Sequence, residues 1–417
     1  DGDIISGIRL STVVPASVAG EGISHHFTNT DLAFKLHYLS TLHLFTGEAA
    51  KDLTIADLKE PMFQWLRVYY GICGRIRRDD SDGRLFLKCN DSGVRIVEAI
   101  CSKTVAEWID GGDYQRGLVY HQPFLGDNFE FTPLVFLQLT RFKCGGLGVG
   151  MRWAHIIGDG FKALDSIKAW GKILAGEMPK PPPPPLTTPT SRRNVDSAEP
   201  PSASPCRSLK PLTQSLGGTW LTPNNVKLQT HTFHFSEKHL AGLMAAADRR
   251  YGNHGISSFE IISALIWKYL AEIKTAATDT VTLVKKRKGD FDGRILGNGG
   301  LEIGIVDFAF QEKITTDSDP LEIAKAITDR FVDETKLIEE TAKWDLDFLI
   351  YGSNLTFVDL IDADLYGLKL KGEDAAFANL SVGGVGDEGA VVVVPGREHG
   401  IATVNAILPE DQTVHLK

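Results

Sequence analysis

The stretch Lys143-Cys-Gly-Gly-Leu-Gly-Val-Gly-Met-Arg-Trp-Ala-His155-Ile-Ile-Gly-Asp159-Gly160 leads from an apolar strand pattern into a tight turn bounded by glycines. The turn carries one histidine and one aspartate, and the pattern places His155 just past the end of a strand. A histidine held there can face a cavity, and a neutral imidazole, with a reference pKa of about 6.5, is the usual proton acceptor at neutral pH. The stretch therefore predicts acyl or proton transfer with His155 as the base.

The segments around this turn predict the elements that would hold it. Leu134–Thr140 and Leu147–Trp153 are apolar and are separated by Gly145-Gly146, which predicts a buried strand pair. After the turn, apolar side chains recur at helical spacing and predict a helix packed on the sheet: Phe161, Leu164, Ile167, Trp170 and Leu174.

Each residue of the turn also has a purely structural interpretation. A lone histidine in an apolar neighbourhood is commonly a buried side chain satisfied by the backbone, which would apply to His155. Asp159 stands where it would cap the following helix, with its carboxylate accepting backbone N–H bonds. Gly158 and Gly160 either only permit the tight turn or also leave room for a substrate beside the imidazole.

Length and composition restrict the class of protein. A chain of 417 residues exceeds what one hydrophobic core normally serves, so two domains are expected. With 43% hydrophobic residues, 23% charged residues and a net charge of −9, a soluble globular protein is expected and nucleic acid is not an expected partner. No transmembrane segment is predicted, because no apolar run approaches about 20 residues. No metal site is predicted either, because the cysteines form no CxxC pair or histidine-flanked cluster. The five cysteines form no CxxC pair and are interpreted as reduced, buried thiols of a cytosolic protein.

A proline-rich stretch, Met178-Pro-Lys-Pro-Pro-Pro-Pro-Pro185, divides the chain almost in half. Consecutive prolines favour an extended, semi-rigid connector. The predicted organisation is a first domain over residues 1–177, a linker over 178–211 and a second domain over 212–417. Strand and helix patterns recur in both halves, so the expected fold class is mixed α/β (α+β), with two sandwiches.

Further elements are predicted from periodicity and capping residues. Strands are predicted at Gly7–Ala16, Leu85–Ala99, Val281–Val284, Leu301–Phe310, Leu355–Leu360, Ala390–Val394 and Ile401–Leu408. Helices are predicted at Thr30–Leu44, Thr54–Tyr70 and Pro320–Lys343, with another opened by the capping box Ser257-Ser-Phe-Glu260.

Beyond these patterns, the chain resembles the plant BAHD family of acyl-CoA-dependent acyltransferases over nearly its whole length. The family signature His-x-x-x-Asp-Gly stands here as His155-Ile-Ile-Gly-Asp159-Gly160. Its expected neighbours are present in order: Gly74-Arg75-Ile76, Cys89-Asn-Asp-x-Gly93, Gln138-x-Thr140-x-Phe142, Ser258-Phe-Glu260 and Gly297-Asn298.

The resemblance implies two pseudo-symmetric domains like chloramphenicol acetyltransferase, with a solvent channel between them. Acyl-CoA would be the substrate or ligand, with no bound cofactor, and His155 would remove the acceptor's proton. It implies that Asp159 orients the site by pairing with Arg287, and it makes Ser353 and Asn354 candidate donors to the oxyanion. Lys285, Lys286 and Lys288 would contact the CoA phosphates, or else form an ordinary solvated turn.

One motif departs from the family. Where most members have Asp-Phe-Gly-Trp-Gly, this chain has Asp364, Leu365, Tyr366, Gly367 and Leu368. Because the family motif is regarded as structural, its loss leaves His155 in place, but it weakens the case for the family's ordinary reaction.

A narrower resemblance points to the eceriferum and glossy branch, which is associated with cuticular wax. It is carried by Ile8–Ser17, Leu32–Tyr38, Gly352–Val358 and Gly384–Asp387. It implies a monomer on the cytosolic face of the endoplasmic reticulum, with the nucleus as a second location. There the chain would support very-long-chain fatty acid elongation by binding the elongase condensing enzyme, a 3-ketoacyl-CoA synthase, or its long-chain acyl-CoA. The alternatives are a true O- or N-acyltransferase that uses His155, and a scaffold that binds no acyl-CoA.

Overall fold

The computed structural model describes residues 4–20, 22–112, 114–120, 129–178, 206–212, 228–252, 254–273, 279–289, 295–308, 314, 317–342, 346–384, 388–398 and 401–410. Most of the predicted linker, residues 179–205, lies outside this range, as do residues 385–387 of the Gly384–Asp387 motif.

Helices and strands recur along the whole described chain. The helices are α1 (Asn29–Ala33), α2 (Ile55–Val68), α3 (Val105–Asp110), α4 (Gly160–Leu174), α5 (Glu237–Tyr251), α6 (Ser258–Ile273), α7 (Pro320–Arg330) and α8 (Thr335–Thr341). The strands of the first half are β1 (Ile5–Val13), β2 (Ser24–His26), β3 (His37–Phe45), β4 (Arg75–Arg78), β5 (Leu85–Lys88), β6 (Val94–Cys101), β7 (Val135–Phe142) and β8 (Leu147–Ala154). Those of the second half are β9 (Lys210–Pro211), β10 (Leu228–Phe235), β11 (Thr280–Lys286), β12 (Leu301–Asp307), β13 (Val332–Asp333), β14 (Phe348–Leu349), β15 (Leu355–Asp359), β16 (Lys369–Leu370), β17 (Glu373–Asp374), β18 (Phe377–Gly384), β19 (Ala390–Pro395) and β20 (Ala402–Pro409).

Two large mixed sheets organise the molecule. The first has the order β1-β6-β7-β8-β3-β18, with only β6 and β7 parallel. The second has the order β10-β20-β19-β15-β11-β12-β13, in which β15 runs parallel to both β11 and β19. Strand β18 therefore leaves the second half of the chain and completes the first sheet, so a boundary at residue 211 does not separate the two sheets.

The hydrophobic core also contains side chains from both halves of the chain. The larger apolar cluster contains Trp65 of α2, Trp153 of β8 and Trp170 of α4, together with Leu360 and Leu365 from the second half. A second cluster lies between the second sheet and helices α6 and α7. Since side chains from both halves fill the larger cluster, the two halves bury apolar surface against each other.

The elements around the Lys143–Gly160 stretch agree with the predicted ones. Strands β7 and β8 form a buried antiparallel pair, and α4 buries Leu164, Ile167 and Trp170. Helix α2 follows its Thr54 cap, and at the start of α6 the backbone N–H of Ser257 donates to the Glu260 carboxylate.

Three predicted elements were wrong in extent or type. The helix predicted at Thr30–Leu44 is the single turn α1 followed by the strand β3, in which all nine residues are buried. A strand covered on both faces loses the polar alternation that identifies strands, so the surrounding sheet overrides the local pattern. The long helix predicted at Pro320–Lys343 is divided by β13, which pairs with β12. The single strand predicted at Leu85–Ala99 is two strands, β5 and β6.

The cysteines are only partly as predicted. Cys73, Cys89 and Cys101 are buried, whereas Cys206 is half-buried and Cys144 is exposed. Among the described residues, every helix is too short or too polar to cross a lipid bilayer.

Candidate active site

The His155–Gly160 turn is built by local hydrogen bonds at the end of β8. Residues His155–Ile157 form one turn of 3-10 helix, and the indole N–H of Trp153 donates to the carbonyl oxygen of Gly158 at 2.9 Å. Gly160 begins α4 and packs closely on Leu360, because a Cβ there would lie 2.8 Å from Cδ1 of Leu360 and would displace it. The turn is therefore held closely between its own strand and a residue of the second half.

The backbone of His155 is held from the second half as well. The side-chain amide of Asn298 donates to the His155 carbonyl oxygen at 2.9 Å, and the N–H of Gly297 donates to Ile157 at 2.8 Å. The carboxylate of Asp31 in turn accepts the backbone N–H of Asn298 at 2.6 Å and its side-chain amide at 3.1 Å. Asp31, His155 and Asn298 are all buried, so this network joins three distant segments in a low-dielectric environment.

The imidazole of His155 is enclosed by aromatic rings. Its exposed fraction is 1%, and the ring of Phe34 stacks on it with centroids 4.0 Å apart. At the edge of the imidazole, Nε2 lies 2.8 Å from the hydroxyl oxygen of Tyr351. The ring of His37 packs against that of Tyr351. The imidazole is therefore almost inaccessible to solvent.

Burial decides the protonation of this group. The pKa of His155 is lowered to about 3, chiefly by burial and also by the neighbouring His37, while a backbone hydrogen bond and the amide of Asn298 partly oppose the shift. The imidazole is therefore neutral at physiological pH. In the tautomer with its proton on Nδ1, Nε2 accepts the hydrogen bond of the Tyr351 phenol. His155 thus has the protonation state of a general base, and in that tautomer the lone pair of Nε2 is engaged by Tyr351.

Asp159 has partners other than the predicted Arg287. Its carboxylate caps α4 by accepting the backbone N–H of Lys162 at 3.0 Å. Burial raises the pKa of Asp159, while Lys162, the N–H of Phe161 and the cation of Lys286 oppose that shift. Arg287 instead donates to the carbonyl oxygen of Leu301. The ion-pair prediction was wrong, because the start of a helix supplies backbone donors directly to a carboxylate at that position.

Ser353 and Asn354 are not directed at an oxyanion. The hydroxyl of Ser353 lies 2.9 Å from the carbonyl oxygen of Ser208 and 2.8 Å from that of Ile350. The amide of Asn354 donates to the carbonyl oxygen of Arg207 at 2.8 Å and to the hydroxyl of Thr282 at 3.0 Å. Their donors are therefore used to hold the C-terminal end of the predicted linker.

The lysines of the basic segment at the end of β11 have different contacts. Lys285 lies 3.8 Å from the carboxylate of Glu260 and over the ring of Phe331. Lys286 lies over the ring of Phe161, next to the His155 turn, and Lys288 is exposed. Lys286 and Lys288 thus keep the exposure that a contact with CoA phosphates needs, whereas Lys285 is engaged within the fold. Within the described ranges, no three side chains of His, Cys, Asp or Glu converge as metal ligands would.

The segment Asp364–Leu368 is a packing element despite its altered sequence. Leu365 and Leu368 are each 1% exposed, and the Leu368 side chain fills the space above Gly171 of α4. The carbonyl oxygen of Leu365 lies 2.9 Å from Nε2 of His43 in β3, and Asp364 forms an ion pair with Lys168. Tyr366 packs against the larger core, while Gly367 turns the chain where a Cβ would meet the Asp364 carboxylate.

Sequence reasoning missed most of the residues that surround His155. Tyr351 stands directly before the Gly352-Ser-Asn segment but has no spacing relation to His155, which is 196 positions away. His37 was hidden because β3 was interpreted as helix. Asn298 belongs to the Gly297-Asn298 motif, but the sequence analysis predicted no role for it. A buried amide beside glycines is a signal for backbone contacts.

Comparison with known proteins identifies the family. A family model described as "Transferase family" matches residues 5–286. Protein ECERIFERUM 26 of Arabidopsis thaliana is 37% identical over 421 residues, covering 99% of this chain and 94% of that protein.

The solved structures show the fold. Vinorine synthase superposes with a TM-score of 0.70 at 16% identity, over 98% of this chain and 96% of that one. Fusarium graminearum TRI101, solved with ethyl coenzyme A, gives a TM-score of 0.68 at 12% identity, over 94% and 96%. The predicted pair of chloramphenicol-acetyltransferase-like domains is confirmed. With its family model, its full-length relative and its retained His155–Gly160 turn, the chain belongs to the BAHD acyltransferase family.

Proposed function

We propose that this protein acts in cuticular wax biosynthesis, where it supports very-long-chain fatty acid elongation together with the condensing enzyme of the elongase. Its ligand would be the long-chain acyl-CoA, and its place the cytosolic face of the endoplasmic reticulum. The observation that carries the proposal is the 37% identity with ECERIFERUM 26 over 99% of this chain.

The geometry at His155 favours a role that does not depend on proton abstraction. The imidazole is 1% exposed, and its Nε2 is hydrogen-bonded to a phenol of the same chain. A general base must reach the proton that it removes in a plausible substrate pose. Nε2 is hydrogen-bonded to Tyr351 and the ring is covered by Phe34, so binding of an acyl-CoA or of the condensing enzyme is the better-supported activity.

The test is co-expression with a plant 3-ketoacyl-CoA synthase in yeast, followed by analysis of acyl chain lengths. We expect acyl chains longer than those made by the condensing enzyme alone, and the same products with His155→Ala. An unchanged chain-length profile with the wild-type protein would contradict the proposal.

Calorimetric titration with a long-chain acyl-CoA separates this role from that of a scaffold. Saturable heat is expected if the protein binds the acyl-CoA, and TRI101, a structural neighbour, was solved with ethyl coenzyme A. The absence of saturable heat, together with retained support of elongation, would instead favour a scaffold that contacts only the enzyme.

A second candidate is an acyl-CoA-dependent O- or N-acyltransferase. It is favoured by the neutral imidazole of His155, whose Nε2 lies 2.8 Å from a hydroxyl oxygen, the distance that an acceptor alcohol requires. If transfer is the function, His155→Ala lowers the rate of CoA release by about 10²- to 10⁴-fold in an assay with acyl-CoA and an alcohol.

A further inference from the structure

The hydroxyl of Tyr351 occupies the position beside His155 that an acceptor needs. Its oxygen lies 2.8 Å from Nε2, within the range over which a base takes a proton from a bound alcohol. Tyr351 is fully buried, and the Phe34 ring stacks on one face of the imidazole. An external hydroxyl therefore has no access to Nε2 while this ring is in place.

The loop that carries Tyr351 is fixed from several directions. The N–H of Ile350 lies 3.3 Å from Nε2 of His37, so the preceding residue is tied to the start of β3. Strand β14, just before Tyr351, pairs with β9.

The segment that contains β9 is anchored in turn by Glu334. Its carboxylate accepts the N–H of Ser208 at 2.8 Å and that of Arg207 at 3.1 Å. Ser353 and Asn354 bind the carbonyl oxygens of Ser208 and Arg207, so the C-terminal end of the predicted linker contacts the loop on both sides of Tyr351. The position of the phenol is thus built into the fold.

We propose that Tyr351 is an internal occupant of the acceptor site, which keeps His155 from acting on external alcohols and amines. The His155–Gly160 motif then contributes its backbone and packing to the fold, while the Tyr351 phenol provides the hydrogen-bond partner of the imidazole. The inference concerns the same site as the proposed function and rests on it only in assigning His155 no proton transfer in elongation.

Removal of the ring should expose the base. In Tyr351→Ala we expect diethyl pyrocarbonate, which modifies unprotonated imidazoles, to react with His155 about tenfold faster than in the wild type, equivalent to roughly 1.4 kcal/mol of lost protection. Tyr351→Phe is the matched control, because it loses the hydroxyl and keeps the ring that covers Nε2, so it should remain protected. Peptide mass mapping assigns the modification to position 155.

An internal reference distinguishes local opening from unfolding. His43 is also fully buried, and it lies against the Asp364–Leu368 segment. His43 should stay unreactive in each variant. If His43 becomes reactive in Tyr351→Ala, that variant is replaced by Tyr351→Leu, which retains apolar bulk. Equal modification of His155 in the wild type and in a folded variant without the ring would overturn the proposal.

A second readout uses the chemistry of the site itself. With acetyl-CoA and a small alcohol, we expect CoA release by Tyr351→Ala to exceed that of the wild type, and the gain to disappear in Tyr351→Ala/His155→Ala. A wild-type rate that falls on His155→Ala while Tyr351 is present would also overturn the proposal. Because these assays use the purified protein alone, their failure is distinct from a failure to support elongation.

Discussion

The retained motif His155–Gly160 and the altered motif Asp364–Leu368 behave in opposite ways. The first keeps the residues of the family signature, yet its imidazole is 1% exposed and bound to Tyr351. The second has lost the family's aromatic and glycine pattern, yet Leu365 and Leu368 are buried and contact β3 and α4. Retention of a motif therefore says little about the chemical availability of its side chains, and loss of a motif says little about its packing.

The largest effect on stability is expected for a substitution in the altered motif. Leu368→Ala should lower the free energy of unfolding by about 2–5 kcal/mol, because it leaves a cavity over Gly171 in a closely packed core. Urea denaturation gives the value, with Ile8→Ala as the control, since Ile8 is 55% exposed. A loss no larger than that of the control would mean that the altered segment is not a packing element.

Acid sensitivity compares the surroundings of the two motifs, since the first contains the buried imidazole of His155 and the second is contacted by that of His43. Burial lowers the pKa of His155 to about 3 and that of His43 to about 4. The unfolded chain takes up these protons near pH 6.5 and the folded one does not, so stability is complete above pH 6.5 and is lost as the pH falls. At pH 4.5 each histidine should have removed about 2–3 kcal/mol relative to pH 7.

The measurement is the free energy of unfolding at pH 7 and pH 4.5 for the wild type and for His43→Gln. The variant should lose about 2–3 kcal/mol less on acidification. Burial raises the pKa of Asp359 to about 7, which stabilises the fold on acidification, but this effect is common to both proteins and cancels. Equal losses in the two proteins would show that His43 is readily protonated in the folded state.

The third test asks whether the retained motif depends on the second half. Asn298→Ala removes the donor to the His155 carbonyl and weakens the contact with Asp31, and it should cost about 1–3 kcal/mol. Asn354→Ala is the matched control, because Asn354 is half-buried and its amide binds Arg207 and Thr282. If thermal melting gives equal losses, the Asn298 network is not a special support of the turn.

The smallest effect is expected for the aspartate of the retained motif. Asp159→Asn keeps a good N-cap for α4 and removes a buried carboxylate, so the change in stability should stay within about 1 kcal/mol. Differential scanning calorimetry of this variant and of Arg287→Ala checks it. A loss of about 3–5 kcal/mol in both variants would instead restore the buried ion pair.

Prediction from the sequence succeeded where the signal lies within one element. Helix α4 has its cap and its apolar stripe within 16 residues, Asp159 to Leu174, and the β7–β8 pair has a glycine turn between two apolar runs. It failed where neighbours in space decide the outcome. Strand β3 lies between β8 and β18 and is buried on both faces, so its apolar residues resemble part of a helix.

The candidate site shows the same division. His155, Asp159, Gly158 and Gly160 were found from their spacing, which a strand–turn–helix connection imposes locally. The roles expected for Arg287, Ser353 and Asn354 were carried over from the family and were not met, because those donors contact backbone carbonyls in this chain.

The sequence by itself determined the family, through the motifs that resemble it. It also determined the mixed α/β class and the capped turn after β8, because periodicity and capping act over a few neighbouring residues. Only the tertiary structure decided that β18 completes the first sheet and that the phenol of Tyr351 meets Nε2 of His155. Such contacts depend on how segments that are far apart in the sequence pack against each other. No local pattern encodes a distance between residues 196 positions apart.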